Sequence, residues 1–181
     1  YDASLECARG LVHEGTAFST ALHRAFRTAL MIISSSGQHV RVTKRFTFEM
    51  AHALRCHDGM CAQIHGHSYV LDVTLIGTPS NVPGYPKDGM VMDFAELKKL
   101  VHTAVIAHYD HALVLHDKDR NSVAEGHELF ARVRFTPWQP TCENVLLDIV
   151  ERLQKVTPVA ARLHRVRLQE TATSWAEWGA W

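Results

Sequence analysis

The sequence predicts an α+β fold, with two helices packed on one face of an antiparallel sheet. Three observations lead there. Residues 39–50 and 66–77 are rich in β-branched and aromatic side chains, flank a short loop, and read as a strand pair. Two apolar stripes at helical spacing follow, with start signals at Asp93 and at Pro140–Thr141. Alternation then returns over Leu163–Glu170 and again over Thr173–Trp178. The element order is therefore ββααββ.

Each element has a local reason. Residues 1–38 precede the strand-and-helix pattern of residues 39–181. Within residues 1–38, Leu22, Phe26, Leu30 and Ile33 fall at helical spacing. Arg24 and Arg27 would suit a transit peptide, but Asp2, Glu6 and Glu14 argue against one. The apolar run Ala29–Ile33 is too short to span a bilayer. Thr78–Gly89, with Pro79, Pro83, Gly84 and Pro86, is a turn-rich connection. Asp93 and Glu96 give a capping box to the first helix, whose expected inward stripe is Phe94, Leu97, Val101, Ala104, Val105 and His108. Asp110–His111 stand at its exit. Residues 117–127 read as a loop, and Leu129–Phe135 as a short accessory strand. The second helix turns Val145, Leu146, Ile149, Val150 and Leu153 inward, and Pro158 lies past its end.

Composition narrows the function classes. The 181 residues are 46% hydrophobic and 21% charged, an ordinary soluble globular balance with enough chain for one real core. A formal net charge of +0 implies no broad attraction to nucleic acid or to an anionic membrane, so an anionic substrate has to be held by a local pocket. Cys7, Cys56, Cys61 and Cys142 form no repeating frame, which points to a reducing, cytoplasmic compartment.

The chemistry concentrates in Cys61-Ala-Gln-Ile-His65-Gly66-His67, with His52 just upstream. On a strand His65 and His67 share a face, with Cα atoms about 6.5 Å apart. Imidazoles at that separation converge on one ion at Zn–N distances of about 2.0–2.1 Å. Three histidine ligands leave a fourth position open, as catalytic zinc sites do, and Cys61 is near enough in sequence to act as base or nucleophile. His-x-His alone also fits surface histidines on a strand. Cys56 and Cys61 could instead form a disulfide or half of a structural finger, but no second Cys pair follows at finger spacing. Gly66 either keeps the space between two ligands clear or marks a bulge. No His-Glu-x-x-His stretch supports a peptidase. His57, His102, His108, His116 and His127 match no site pattern.

These motifs resemble a known family. Phe-Glu-Met-Ala-His52, Cys61-x-x-x-His65-Gly-His67-Ser-Tyr, Gly89-Met-Val-Met-Asp93-Phe, Tyr109-Asp110-His111-Ala-Leu, Pro140-Thr141-Cys-Glu143-Asn144 and Glu170-Thr-Ala-Thr-Ser-Trp-Ala-Glu occur in the order of the 6-pyruvoyl-tetrahydropterin synthase family. The likeness runs from about Val40 to the C-terminus and is greatest to the bacterial 6-carboxytetrahydropterin synthase branch. In that branch the Cys stands four residues before the first His of His-Gly-His, as Cys61 stands before His65.

The resemblance implies the tunnelling fold, in which subunits join sheets into a barrel, usually a homohexamer. It implies Zn²⁺ on His52, His65 and His67, and Cys61, Asp110 and His111 as the proton-transfer set. Glu170 would bind the amino-pyrimidine edge of a pterin, with Thr141 and Glu143 in the same pocket. Taken alone, Thr141 is also a plain N-cap, Glu143 a first-turn acid, and Asp110–His111 an ordinary helix end. Lys44, Arg45, Arg132, Arg134, Arg165 and Arg167 are candidates for triphosphate contacts or for solvated strand faces. The implied reaction takes 7,8-dihydroneopterin triphosphate to 6-carboxytetrahydropterin, acetaldehyde and triphosphate in the queuosine (7-deazapurine) pathway. The 6-pyruvoyl product is the near alternative, and a non-catalytic zinc-stabilised assembly module is the alternative from another class.

Overall fold

The computed structural model describes residues 38–124 and 126–179. The expectations on residues 1–37, including the Leu22–Ile33 helix, lie outside the described residues. At the centre, β1 (Val40–His52) and β2 (His65–Gly77) pair antiparallel, in register from Val40↔Gly77 to His52↔His65. Alternation sorts their side chains. Phe48, Met50, His52, Tyr69, Leu71, Val73 and Leu75 are all buried. Glu49, Gly66 and Ser68 alternate with them and are exposed on the other face.

The helices cover the buried face. The first, α1 (Phe94–Val101), runs through a π-helical stretch, His102–Ile106, into α2 (Ala107–Tyr109). The long helix α3 (Cys142–Val156) lies beside it, and every residue of its expected stripe is buried. Leu97, Val101, Val105, Val145, Ile149 and Leu153 join the strand residues in one core. Each such side chain, taken fully out of water, contributes about 1.5–3 kcal/mol.

Two details of the first helix differ from the sequence pattern. Phe94 is exposed, with Lys44 Nζ 5.7 Å from its ring centroid, and Ile106 and Tyr109 are buried instead. The π-helical stretch accounts for Ile106 and Tyr109, which lie within or after it, whereas Phe94 lies ahead of it at the first helical position. The wider π-helical turn rotates the inward face, so the stripe no longer follows a uniform α-helical period. Asp93 caps the helix through Ala95 N–H at 2.7 Å, but Glu96 pairs with Lys87. The capping box is therefore half formed.

The sheet is mixed, not purely antiparallel. Its six strands lie in the order β4-β3-β1-β2-β5-β6. The expected antiparallel set is present, with β5 (Ala161–Gln169) on β2 and β6 (Trp175–Gly179) on β5. Beyond β1, however, β3 (Ala112–His116) and β4 (Val133–Thr136) both pair parallel. The helix that follows β2 crosses over the sheet, and such a crossover permits a parallel neighbour. Ala-Leu-Val-Leu is a short unbroken apolar run and carries no alternation to signal a strand. Residues 117–127 include a 3₁₀ turn, Asp117–Ser122, and Glu128–Phe130 is 3₁₀ rather than strand, because pairing with β3 fixes β4 further along.

Candidate metal centre

The β1–β2 register sets the site. His52 ends β1 opposite His65, which begins β2, and His67 lies two residues along on the same face. One ligand atom from each of the three histidines lies within 4.8 Å of the others. Ring centroids are 4.4 Å apart for His52 and His65, 5.2 Å for His52 and His67, and 5.1 Å for His65 and His67.

Backbone carbonyls fix which nitrogens are free. His52 Nδ1 lies 2.6 Å from Pro140 O and donates to it, and His65 Nδ1 donates likewise to Gln63 O at 2.8 Å. In the neutral tautomer set by these bonds, Nε2 is the nitrogen that carries the free lone pair. His52 Nε2 is buried and has no hydrogen-bond partner. Burial also holds the His52 imidazole below the ordinary histidine range, so it is neutral. A buried lone pair grouped with two further imidazoles, two of the three rings braced by carbonyls, fits a divalent cation that prefers nitrogen donors.

A carboxylate stands at the edge of this cluster. Glu170 Oε1 is 3.7 Å from His52 Nε2 and 4.0 Å from His67 Nε2. The buried Tyr69 hydroxyl donates to the same oxygen at 3.0 Å. Tyr69 has no counterpart among the residues the sequence pattern singled out. Its signal is the alternation His65, His67, Tyr69, which puts its ring on the ligand face.

Cys61 sits in the 3₁₀ turn Met60–Ala62 that bridges the two ligand-bearing strands, half-buried and unpaired with another cysteine. Asp110 and His111 form a pair of their own, with His111 Nδ1 3.0 Å from Asp110 Oδ1. Asp110 also accepts from Glu49 N–H at 3.1 Å, and His111 N–H donates to Glu49 O at 2.7 Å. His111 adopts φ 57° to make that turn and lines a cavity of about 390 Å³ with Glu49, Gly66 and Ser68. Those three strand residues alternate with the three histidines, yet His67 lines the same cavity. One chain thus brings Glu170 within 4.0 Å of the metal cluster, while His111 shares a cavity with His67.

Thr141 caps α3 through Asn144 N–H at 3.3 Å, with Glu143 in the first turn. Thr141 follows directly on Pro140, whose carbonyl braces His52, and Glu143 lies two residues further. Most of the basic candidates have protein partners. Arg45 pairs with Asp72, Arg165 with Glu177, Arg132 with the carbonyls of Ala107 and Asp110, and Arg167 stacks on Trp175.

The chain is similar to known proteins along most of its length. Residues 41–180 match the family model described as 6-pyruvoyl tetrahydropterin synthase. The chain is 30% identical over 141 residues to a Haemophilus influenzae 6-carboxy-5,6,7,8-tetrahydropterin synthase, covering 76% of this chain and 97% of that protein. It is 32% identical to a Pyrococcus furiosus dihydroneopterin monophosphate aldolase, over 72% of this chain and 89% of that one. Among solved structures, Caenorhabditis elegans 6-pyruvoyl tetrahydropterin synthase superposes with a TM-score of 0.58 at 26% identity, covering 80% of this chain and 97% of that one.

Proposed function

Because the chain belongs to the 6-pyruvoyl tetrahydropterin synthase family, we propose that it is a zinc-dependent lyase of the 6-carboxytetrahydropterin synthase type. Its reaction would take 7,8-dihydroneopterin triphosphate and water to 6-carboxytetrahydropterin, acetaldehyde and triphosphate. The supporting observation is the placement of Glu170 Oε1 at 3.7 Å and 4.0 Å from two imidazoles of a three-histidine cluster. A carboxylate accepts paired N–H donors of an amino-pyrimidine edge as it accepts those of a guanidinium. It thereby sets the pterin side chain beside the cluster.

Each residue has a role in this reading. His52, His65 and His67 would hold Zn²⁺, which when bound supplies a Lewis acid toward the side-chain hydroxyls. Cys61 moves a proton at the side-chain carbon as the base. Asp110 orients His111 as the second proton carrier. Glu170 anchors the pterin, with Thr141 and Glu143 lining its pocket. Among the described residues the outer edges of β4 and β6 have no strand partner, which suits closure into a homo-oligomeric barrel, with a hexamer proposed. The product would feed 7-deazapurine (queuosine) synthesis in the cytoplasm.

Incubation with dihydroneopterin triphosphate, followed by mass spectrometry and trapping of aldehydes, tests the proposal. The expected products are 6-carboxytetrahydropterin and acetaldehyde. The spacing Cys61-x-x-x-His65 favours them over the alternative. 6-Pyruvoyl-tetrahydropterin as sole pterin product, without acetaldehyde, would move the chain to the pyruvoyl branch. No turnover by zinc-loaded protein would leave the non-catalytic assembly module.

A further inference from the structure

The loop joining β1 to β2 carries Cys61, and it is gripped from outside at one residue, Arg55. The Gln139 side chain takes both backbone groups of that residue. Arg55 N–H donates to Gln139 Oε1 at 3.1 Å, and Gln139 Nε2 donates to Arg55 O at 2.5 Å. The Arg55 guanidinium is tied as well, to Asp119 and to Lys118 O. Next to Arg55, Leu54 N–H donates to Cys61 O at 2.8 Å. A short path of hydrogen bonds therefore connects Gln139 to the backbone of Cys61.

Gln139 is itself held rigidly. Its carbonyl accepts from Asn144 Nδ2 at 2.9 Å and from Thr141 N–H at 2.8 Å, at the start of α3. The next carbonyl along, Pro140 O, braces His52 Nδ1 at 2.6 Å. One turn, Gln139–Thr141, thus references both the metal-cluster histidine and the thiol-bearing loop to the same helix end.

We infer that Gln139 is a positioning residue, whose amide fixes the place of Cys61 relative to the three-histidine cluster. The inference rests on the reading of Cys61 as the proton-transfer group. The side chain is suited to it chemically. A primary amide offers one acceptor and one donor side by side, so it mimics a neighbouring strand to a single residue. Glutamate matches its shape but sets an oxygen against Arg55 O. Leucine fills the space with neither group.

Gln139→Leu and Gln139→Glu test this, read by amide hydrogen exchange, metal content, kcat and KM. The metal brace is a backbone carbonyl, so both variants should keep wild-type zinc. Exchange should quicken in peptides spanning 53–64 and stay unchanged in 142–156. A misplaced thiol should lower kcat by about tenfold or more with KM within about twofold. The carboxyl introduced by Gln139→Glu regains a donor when protonated, so the kcat deficit of that variant relative to wild type should shrink as pH falls. Unchanged exchange over 53–64 would show that the clip does not hold the loop. Quickened exchange with wild-type kcat, or loss of zinc together with kcat, would equally overturn the positioning role. Cys61→Ala run in parallel separates the two readings. If it keeps wild-type turnover, the assignment of Cys61 fails, whereas the exchange result on the clip stands independently.

Discussion

Tyr69 donates its hydroxyl hydrogen to Glu170 Oε1 at 3.0 Å, joining two residues 101 positions apart in the chain. Tyr69 is fully buried, and burial raises its phenol above the ordinary range, so the group is a donor at any working pH. The bond aims one carboxylate oxygen at the histidine cluster.

Tyr69→Phe removes that aim while keeping the ring. It should weaken binding of a pterin product or analogue by about 0.5–1.5 kcal/mol, the scale of one hydrogen bond. Glu170→Ala removes the acceptor itself and should weaken it by about 1.5–3 kcal/mol. Fluorescence or calorimetric titration checks both. Wild-type affinity in Glu170→Ala would remove Glu170 from the pterin site.

The metal assignment separates histidines from thiols. His52→Ala, His65→Ala and His67→Ala should each lose bound zinc, measured as metal per protein after purification. Cys56→Ala and Cys61→Ala should keep it. Stoichiometric zinc in both His65→Ala and His67→Ala would overturn the site, and its loss in Cys61→Ala would point to a structural centre.

The three described cysteines should differ in reactivity. Cys142 is buried, its S–H pointing to Leu168 O at 3.5 Å, and burial pushes its thiol from 9.0 up to about 11. The folded state holds that proton more tightly than the unfolded chain does. Its stabilising effect is therefore complete below the free-thiol value and is lost as pH rises toward the folded one. Near pH 8 iodoacetamide should modify Cys56 and Cys61 and leave Cys142 intact. Peptide mapping after timed labelling checks this, and modification of Cys142 at the rate of Cys56 would contradict it.

What the sequence made legible was whatever rests on local periodicity. The β1–β2 pair, the α3 stripe and the face shared by His65 and His67 follow from periods of two and 3.6 residues. The parallel strands β3 and β4 were hidden because Ala112–His116 is too short and too evenly apolar to carry a period. The π-helical stretch at His102–Ile106 breaks a period without any proline or glycine to mark it. Tyr69 was visible only as a strand residue. Its bond to Glu170 depends on β2 and the end of β5 lying side by side, which no local pattern specifies.

The last expectation concerns where Asp110 and His111 act. Within one chain they pair at 3.0 Å, beside Glu49, and His111 lines a cavity with Glu49, Ser68 and His67. We expect the pair to act at a neighbouring subunit's cluster, in the barrel proposed for this family member. Cys61→Ala and His111→Ala should then each be nearly inactive alone. Mixed by joint refolding, they should recover about a quarter of wild-type turnover, the fraction of sites at which random assembly unites an intact Cys61 with a partner's intact His111. Recovery no greater than the sum of the two variants would show that the pair does not act across subunits.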